Sequence, residues 1–542
     1  MRRYRFLVIV LVALIGVSGA VLRWRQPPGG VTPEDGSAEE VPETLEASVG
    51  SGTFANGFSV ELITQPEGGE IRYTLDDSEP TLESLLYSEP IQIDRTVRLA
   101  ARRFVDGVPS LETLRHSYLQ VDDEVQRFRS EIPVVLIETL GVEIQRYRDH
   151  NERGTPYVDT VCHVFEPDDD GFADISQAPS LSARAGVKAR GSSTLGREKS
   201  SLTLEIRDPT GEDLDVSLLG LPAESDWILL GPLQYDRALI RNPLVYELTR
   251  QMGHYAPRTR FVEVFLNEDG GAIRGPIPDG LDYYGVYVLV EKIKRDTNRV
   301  AVEKLLPEDN EEPAVTGGYI IKIDRAGPGD VGFHSGGRSF HYVSPKERDI
   351  SSAQAVWIEG YMDELFAALN SPNFSGQNGY ARYLDVDAAI DYHIMTELTK
   401  NPDGYVYSTY LHKSRGEKLM IGPVWDYDRT MGCDHDQRAY DPRGWSRNSF
   451  RFWYRRLFQD LEFRRRYVDR WQELREGPLA YRHIAVVIEE MVETLEPAAE
   501  RNTRRWGDWM GLQPGRWRSE IDQLKNWISH RLKWLDSAIR VE

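Results

Sequence analysis

The chain has 542 residues, 40% hydrophobic and 28% charged, with a formal net charge of −21. This is an ordinary globular composition, long enough for two or more domains. So acidic a balance excludes a non-specific grip on nucleic acid, which needs a basic face, but leaves room for an anionic ligand in a locally basic pocket.

The N-terminus opens with Arg2, Arg3 and Arg5, followed by an apolar run over 6–22. A positive n-region and an apolar h-region define residues 1–25 as a signal peptide or membrane anchor. Ser18-Gly19-Ala20 offers a small-residue cleavage site, whereas the length of the run and Arg23 and Arg25 after it suit an uncleaved anchor equally well. Either way, the bulk of the chain is expected outside the cytoplasm. Residues 26–51 are rich in Pro, Gly, Ser and Glu and read as a disordered linker. Cys162 and Cys433 fit a disulfide and two buried thiols equally, and two isolated cysteines do not make a zinc site.

Over 52–121 the pattern changes to short alternating runs at 58–62, 71–73, 91–93 and 97–101, separated by turn residues such as Gly68-Gly69 and Asp106-Gly107. Short strands with regular turns predict a small β-sandwich. The stretch from Ile71 through Asp76, Asp77 and Pro80 to Tyr87 and Pro90, with Arg102, Arg103 and Phe104 closing it, resembles the module at the C-terminus of chitobiases and β-hexosaminidases. The resemblance implies an accessory domain, with contact to glycan or cell wall as one role for its aromatics and core packing as the favoured one.

Residues 132–542 are predicted to form one large α+β unit. Strand patterns fall at 134–137, 202–206, 227–230, 261–266 and 285–290, and a helix is predicted over 237–252. The second half is mostly helical, beginning with a helix over 387–400. Strands first and helices later predict two segregated lobes.

Four groups of residues carry chemistry. Arg190-Gly191-Ser192-Ser193, with Lys199 nearby, combines a small-residue turn with positive charge, the ingredients of a phosphate cradle. On the predicted helix, Arg241 is a candidate for a buried polar or phosphate contact. Glu247 is a candidate to steady the lysine or, equally, a solvated helix residue. Glu291-Lys292-Ile293 ends an apolar strand whose backbone is a candidate purine contact. The last group follows the apolar strand 419–421. There, Asp426 and Asp428 stand two residues apart, and strand alternation predicts that they project together from the strand end. Two anions held close need a cation to neutralise them, and hard carboxylate oxygens suit Mg2+. Upstream, Asp403 ends a helix. An acid at a helix end, a hairpin and a metal-binding acid is also the order in protein kinases.

In this order and spacing, the motifs resemble the CotH kinase family, the spore coat protein H group of atypical protein kinases. The match is carried by Arg190 to Ser193 with Lys199, Arg241-Asn242, the run 255–267, the strand 285–293, Gly317 to Ile320, Asn401-Pro402-Asp403 and the segment 422–428. The resemblance implies a two-lobed kinase-like fold that binds ATP and Mg2+ and phosphorylates Ser or Thr of a protein substrate. By position, Gly191, Ser192 and Ser193 cover the phosphates, with Arg190 and Lys199 contacting them. Glu291 to Ile293 form the hinge strand beside adenine. Asp403 orients or deprotonates the acceptor hydroxyl, Asp426 is the metal-binding acid and Asp428 assists it. The loop is short and serine-bearing, and no His-Arg-Asp triplet is present, both departures from the usual kinase pattern. The competing readings are a catalytically silent surface protein using the fold for adhesion or assembly and, ranked last, a glycoside hydrolase built on paired carboxylates.

Overall fold

The computed structural model describes residues 44–147, 155–191, 194–275, 282–326, 330–376, 378–433 and 435–540. The predicted signal or anchor, most of the predicted linker, and Ser192 and Ser193 lie outside the described residues. Among the described residues, no helix is long and apolar enough to cross a membrane. The linker boundary moves: Thr44–Ala47 is a strand paired antiparallel with Leu62–Gln65. Composition averaged over 26–51 hides Leu45 and Ala47, which pack on the core of the following module.

That module is all β. A sheet runs in the order Gly52–Phe54, Leu114–Gln120, Val97–Val105, Glu70–Thr74, Leu85–Leu86, with Val108–Pro109 paired to Val97–Val105. Two small two-stranded sheets, one joining Phe58–Val60 to Ile91–Ile93, share with it a core of Val60, Ile93, Leu99, Ala101 and Tyr118. Phe54, Phe58 and Tyr118 meet edge to face in this core.

The next unit is a closed seven-stranded barrel. Its order is Val134–Glu138, Val158–Phe165, Leu181–Arg190, Ser201–Arg207, Asp226–Leu230, Tyr283–Glu291, Thr259–Asn267. The last strand closes on the first in parallel, Val134 opposite Glu263. The apolar runs that marked these strands are continuous because both faces are covered. Val135 and Ile137 fill the barrel, whereas Val134 and Leu136 face a separate core. Tyr287 and Leu289 likewise point in, while Val286 and Val290 pack on the helical half. The first half is thus strand-rich as predicted, but it closes into a barrel.

The second half carries its own sheet in the order Gly332–Ser335, Arg338–Ser344, Tyr319–Ile323, Thr409–Lys413, Leu419–Ile421. Packed in the same core are the helices Arg241–Gln251, Ser352–Asn370, Val386–Thr399, Leu461–Glu476, Tyr481–Met510 and Trp517–Ala538. The long helix Tyr481–Met510 also reaches the barrel, where Arg501 pairs with buried Glu263 at 2.7 Å and Trp506 Nε1 donates to Tyr284 O at 2.8 Å. Its close approach needs Gly285, whose φ is +74° and where a Cβ would stand 2.6 Å from Asn502 Oδ1. Both cysteines are buried free thiols.

Candidate active site

A cavity of about 450 Å3 is bounded by the end of the barrel strand Leu181–Arg190, the residues after Asp226–Leu230, the end of Tyr319–Ile323 and the segment around Asp426. Seven Lys and Arg residues and six Asp residues line it. In a chain of net charge −21, the cavity is thus close to charge balance, with cationic groups available to an anionic ligand beside acids available to a cation.

The acids are set by backbone geometry. The strand Leu419–Ile421 ends before them, and Asp426 takes φ +67°, left-handed and uncommon for a residue with a side chain. The strand alternation expected to aim Asp426 and Asp428 together is therefore absent; a local kink brings both to the cavity wall. Polar contacts from the helix Arg241–Gln251 fix this kink. Asn242 Oδ1 accepts from Tyr427 N at 2.7 Å, and the Tyr246 hydroxyl accepts from Asp426 N at 3.4 Å. The Tyr246 ring stacks on Trp425. Ser408 Oγ donates to Asp426 Oδ2 at 3.3 Å.

Asp426 is exposed where it opens onto the cavity, with protein packed around the rest of it. Poor solvation, then the charge of Asp403, raises its carboxyl above the ordinary range. Asp428 is raised well above that range by burial and then by Asp426, with Arg429 opposing. Two crowded acids held in this way gain from a bound cation. No three His, Cys, Asp or Glu side chains form a metal cage among the described residues. One or two carboxylates completed by phosphate oxygens and water is, however, the usual way to hold Mg2+, and this pair fits that group.

Asp403 follows the helix Val386–Thr399 and its left-handed cap, Lys400. Its N–H donates to Asn401 Oδ1 at 3.0 Å, while Asn401 Nδ2 donates to Asp426 O at 3.3 Å, tying the two acidic segments together. Asp403 Oδ1 accepts from Arg438 Nη1 at 2.9 Å. Its Oδ2 has no hydrogen-bond donor among the described residues, and the side chain lines the cavity.

The Arg190 guanidinium, also on the cavity lining, lies over Trp425, 5.4 Å from the ring centroid. Its Nη1 is buried without a hydrogen-bond partner among the described residues. Such an orphan is rare in native proteins, and it would gain from an acceptor. Gly191 turns at φ +127°, where a Cβ would stand 2.4 Å from Thr194 Oγ1.

Lys199 lines the same cavity, but its ammonium donates to Val286 O and Asn502 Oδ1, both at 2.7 Å. Burial holds it well below the ordinary lysine range. In this structure it braces the barrel against the C-terminal helix, instead of reaching for a phosphate as the sequence suggested. Its partner is Asn502, not Glu247, which pairs locally with Arg250 at 2.5 Å and Gln251 at 2.7 Å. Arg241 is a buried structural contact, bonded to Asp236 Oδ1 and to Thr430 O, each at 2.9 Å.

The predicted hinge is corrected. The Glu291 carboxylate is fully buried and held by Arg258 and Tyr255, and Ile293 packs with Val300, Val302 and Ile320. Neither lines the cavity. The strand Tyr283–Glu291 pairs with a neighbour on each side, so it has no free edge for a purine. Sequence reasoning missed Lys188, Lys322, Asp324 and Arg429 on the wall. Lys322 left a trace, as the one charge inside the apolar run 319–323.

The CotH kinase protein family matches residues 187–535, and the chitobiase/beta-hexosaminidase C-terminal domain family matches residues 49–114. No curated protein matches the chain. The first match covers more than half of the sequence and contains Arg190, Asp403, Asp426 and Asp428, so the chain belongs to the CotH kinase family.

Proposed function

We propose that this chain transfers the γ-phosphoryl group of ATP to a Ser or Thr hydroxyl of a protein acceptor, and that it does so outside the cytoplasm. The observation that carries the reading is one cavity lined both by the crowded acid pair and by Arg190, whose Nη1 has no hydrogen-bond partner among the described residues. The location rests on the positive and apolar N-terminal segment. Asp426 and Asp428 would hold Mg2+, which supplies neutralisation of phosphate charge when bound with the nucleotide. Arg190, on the cavity lining, binds phosphate oxygens through its guanidinium. Asp403 receives the acceptor's proton at Oδ2 as the hydroxyl oxygen bonds to the γ-phosphorus and the bond from phosphorus to the β,γ-bridging oxygen breaks, releasing ADP. Such transfer needs positioning and charge stabilisation more than covalent help from the protein.

The test is mass spectrometry of a generic protein acceptor incubated with the chain, ATP and Mg2+. A gain of one phosphoryl group is expected. Asp426→Asn should abolish it while leaving the protein folded, and Asp403→Asn should retain ATP-dependent thermal stabilisation but lose most turnover. Full activity in either variant removes the role assigned to that residue. A gain of AMP changes the transferred group. Neither mass gain nor stabilisation by ATP and Mg2+ leaves the reading of a catalytically silent surface protein.

A further inference from the structure

Downstream of Asp428, residues 435–440 lie against the Asp403 segment, with Arg438 paired to Asp403. Among them, Gln437–Ala439 forms a short 3-10 turn capped by Asp436, whose side chain accepts from Arg438 N at 3.2 Å. The same carboxylate grips the Arg438 guanidinium as a fork, taking Nε at 2.8 Å and Nη2 at 2.5 Å. That leaves Nη1 aimed in a fixed direction, and it meets Asp403 Oδ1 at 2.9 Å. Asp436 is nearly buried, with 8% of its side chain exposed, whereas Arg438 is 43% exposed. The buried acid is therefore the anchor, and the arginine is the arm.

We infer that Arg438 is a positioning residue for Asp403, a role that rests on the phosphoryl-transfer reading. By occupying Oδ1, it fixes the rotation of the carboxylate and leaves Oδ2 as the oxygen presented to the acceptor hydroxyl. A planar fork held at two points by Asp436 and donating at the third performs this task; a lysine, with a single compact charge on a flexible stem, does so poorly. Arg438 lies outside the residues lining the cavity, so its loss leaves nucleotide binding intact. It is also exposed enough that its loss costs little stability.

The experiment compares wild type, Arg438→Ala, Arg438→Lys and Asp436→Asn in the same transfer assay, with kcat and the KM for ATP measured separately and melting temperatures recorded. Misorientation of a reacting group is expected to lower kcat of Arg438→Ala by about 10- to 100-fold, with KM for ATP and melting temperature unchanged. Arg438→Lys should recover part of the loss, and Asp436→Asn should reproduce part of it. A wild-type kcat in Arg438→Ala overturns the inference alone. So does a fall in kcat that comes with a matching rise in KM and a lower melting temperature, because that pattern marks a merely structural residue. A wild-type protein that transfers nothing overturns the phosphoryl-transfer reading and this role with it.

Discussion

Glu138 ends the barrel strand Val134–Glu138 with its carboxyl sealed from water. Oε1 accepts from Leu140 N at 2.7 Å, and Oε2 is buried without a hydrogen-bond partner among the described residues. Burial, with Asp282 and Asp269 nearby, pushes its pKa up to about 7, against an ordinary 4.5. Between those two values the folded chain binds more protons than the unfolded one, so stability falls as pH rises through this window. The cost of the ionised form above pH 7 is about 3 kcal/mol. Glu138→Gln, which cannot ionise, should therefore be more stable than wild type near pH 8, with the difference vanishing below about pH 4.5. Urea unfolding of both proteins across that range checks the sign; a constant difference at every pH would rule the carboxyl out as its source. Asp426 was legible in the sequence only in part. Its chemistry was legible as one of two acids beside an apolar strand, but not its left-handed backbone, because the Tyr246 and Asn242 contacts that hold it come from a helix far upstream.

Among the elements, the helix Tyr481–Met510 does most to place the site. Asn502 Oδ1 accepts from Lys199 Nζ at 2.7 Å and from Val286 N at 3.1 Å, so one amide satisfies two buried donors on two barrel segments. Asn502→Ala removes the side-chain acceptor of Val286 N and leaves the Lys199 ammonium with Val286 O alone, and a buried unsatisfied donor costs roughly 1–3 kcal/mol. A loss of about 2 kcal/mol in chemical denaturation is expected, larger than for a surface Asn in the same helix; an unchanged midpoint would show that water replaces the amide. Element positions were largely readable. The helix read at 387–400 is Val386–Thr399, and the strand read at 419–421 is Leu419–Ile421. The partner of Lys199 was not, since the helix face that carries Asn502 looks like any other apolar helical stripe. The hinge reading failed for a related reason: a strand end with mixed charges looks the same in sequence whether its edge is free or paired on both sides.

At the scale of the whole molecule, the β module is built into the barrel. Val121 bridges to Ile273, Thr53 Oγ1 donates to Ile175 O at 2.7 Å, and Asp122 Oδ2 accepts from Gly275 N at 2.7 Å. Leu119 and Val121 share a core with Phe128, Val134, Leu136 and Phe265. Phe128 sits edge-on to Phe265, 5.1 Å between centroids. Calorimetry should show the module and barrel melting in one transition. Phe128→Ala, which empties the shared core, should lower that transition as a unit by about 3 kcal/mol or more. Two separate transitions, with only one displaced, would mean that the interface contributes little. What the sequence determined by itself were the features written in short windows: the module's alternating strands, the buried apolar strands, the helices, and the order of Arg190, Asp403 and Asp426 that marks the family. Only the tertiary structure decided that the strands close into a barrel through the parallel pairing of Val134–Glu138 with Thr259–Asn267, that Asn502 braces Lys199, and that Arg438 holds Asp403. Periodicity records which face of an element is buried, not against what; the partner is chosen by packing between segments far apart in the chain, and no local pattern carries that information.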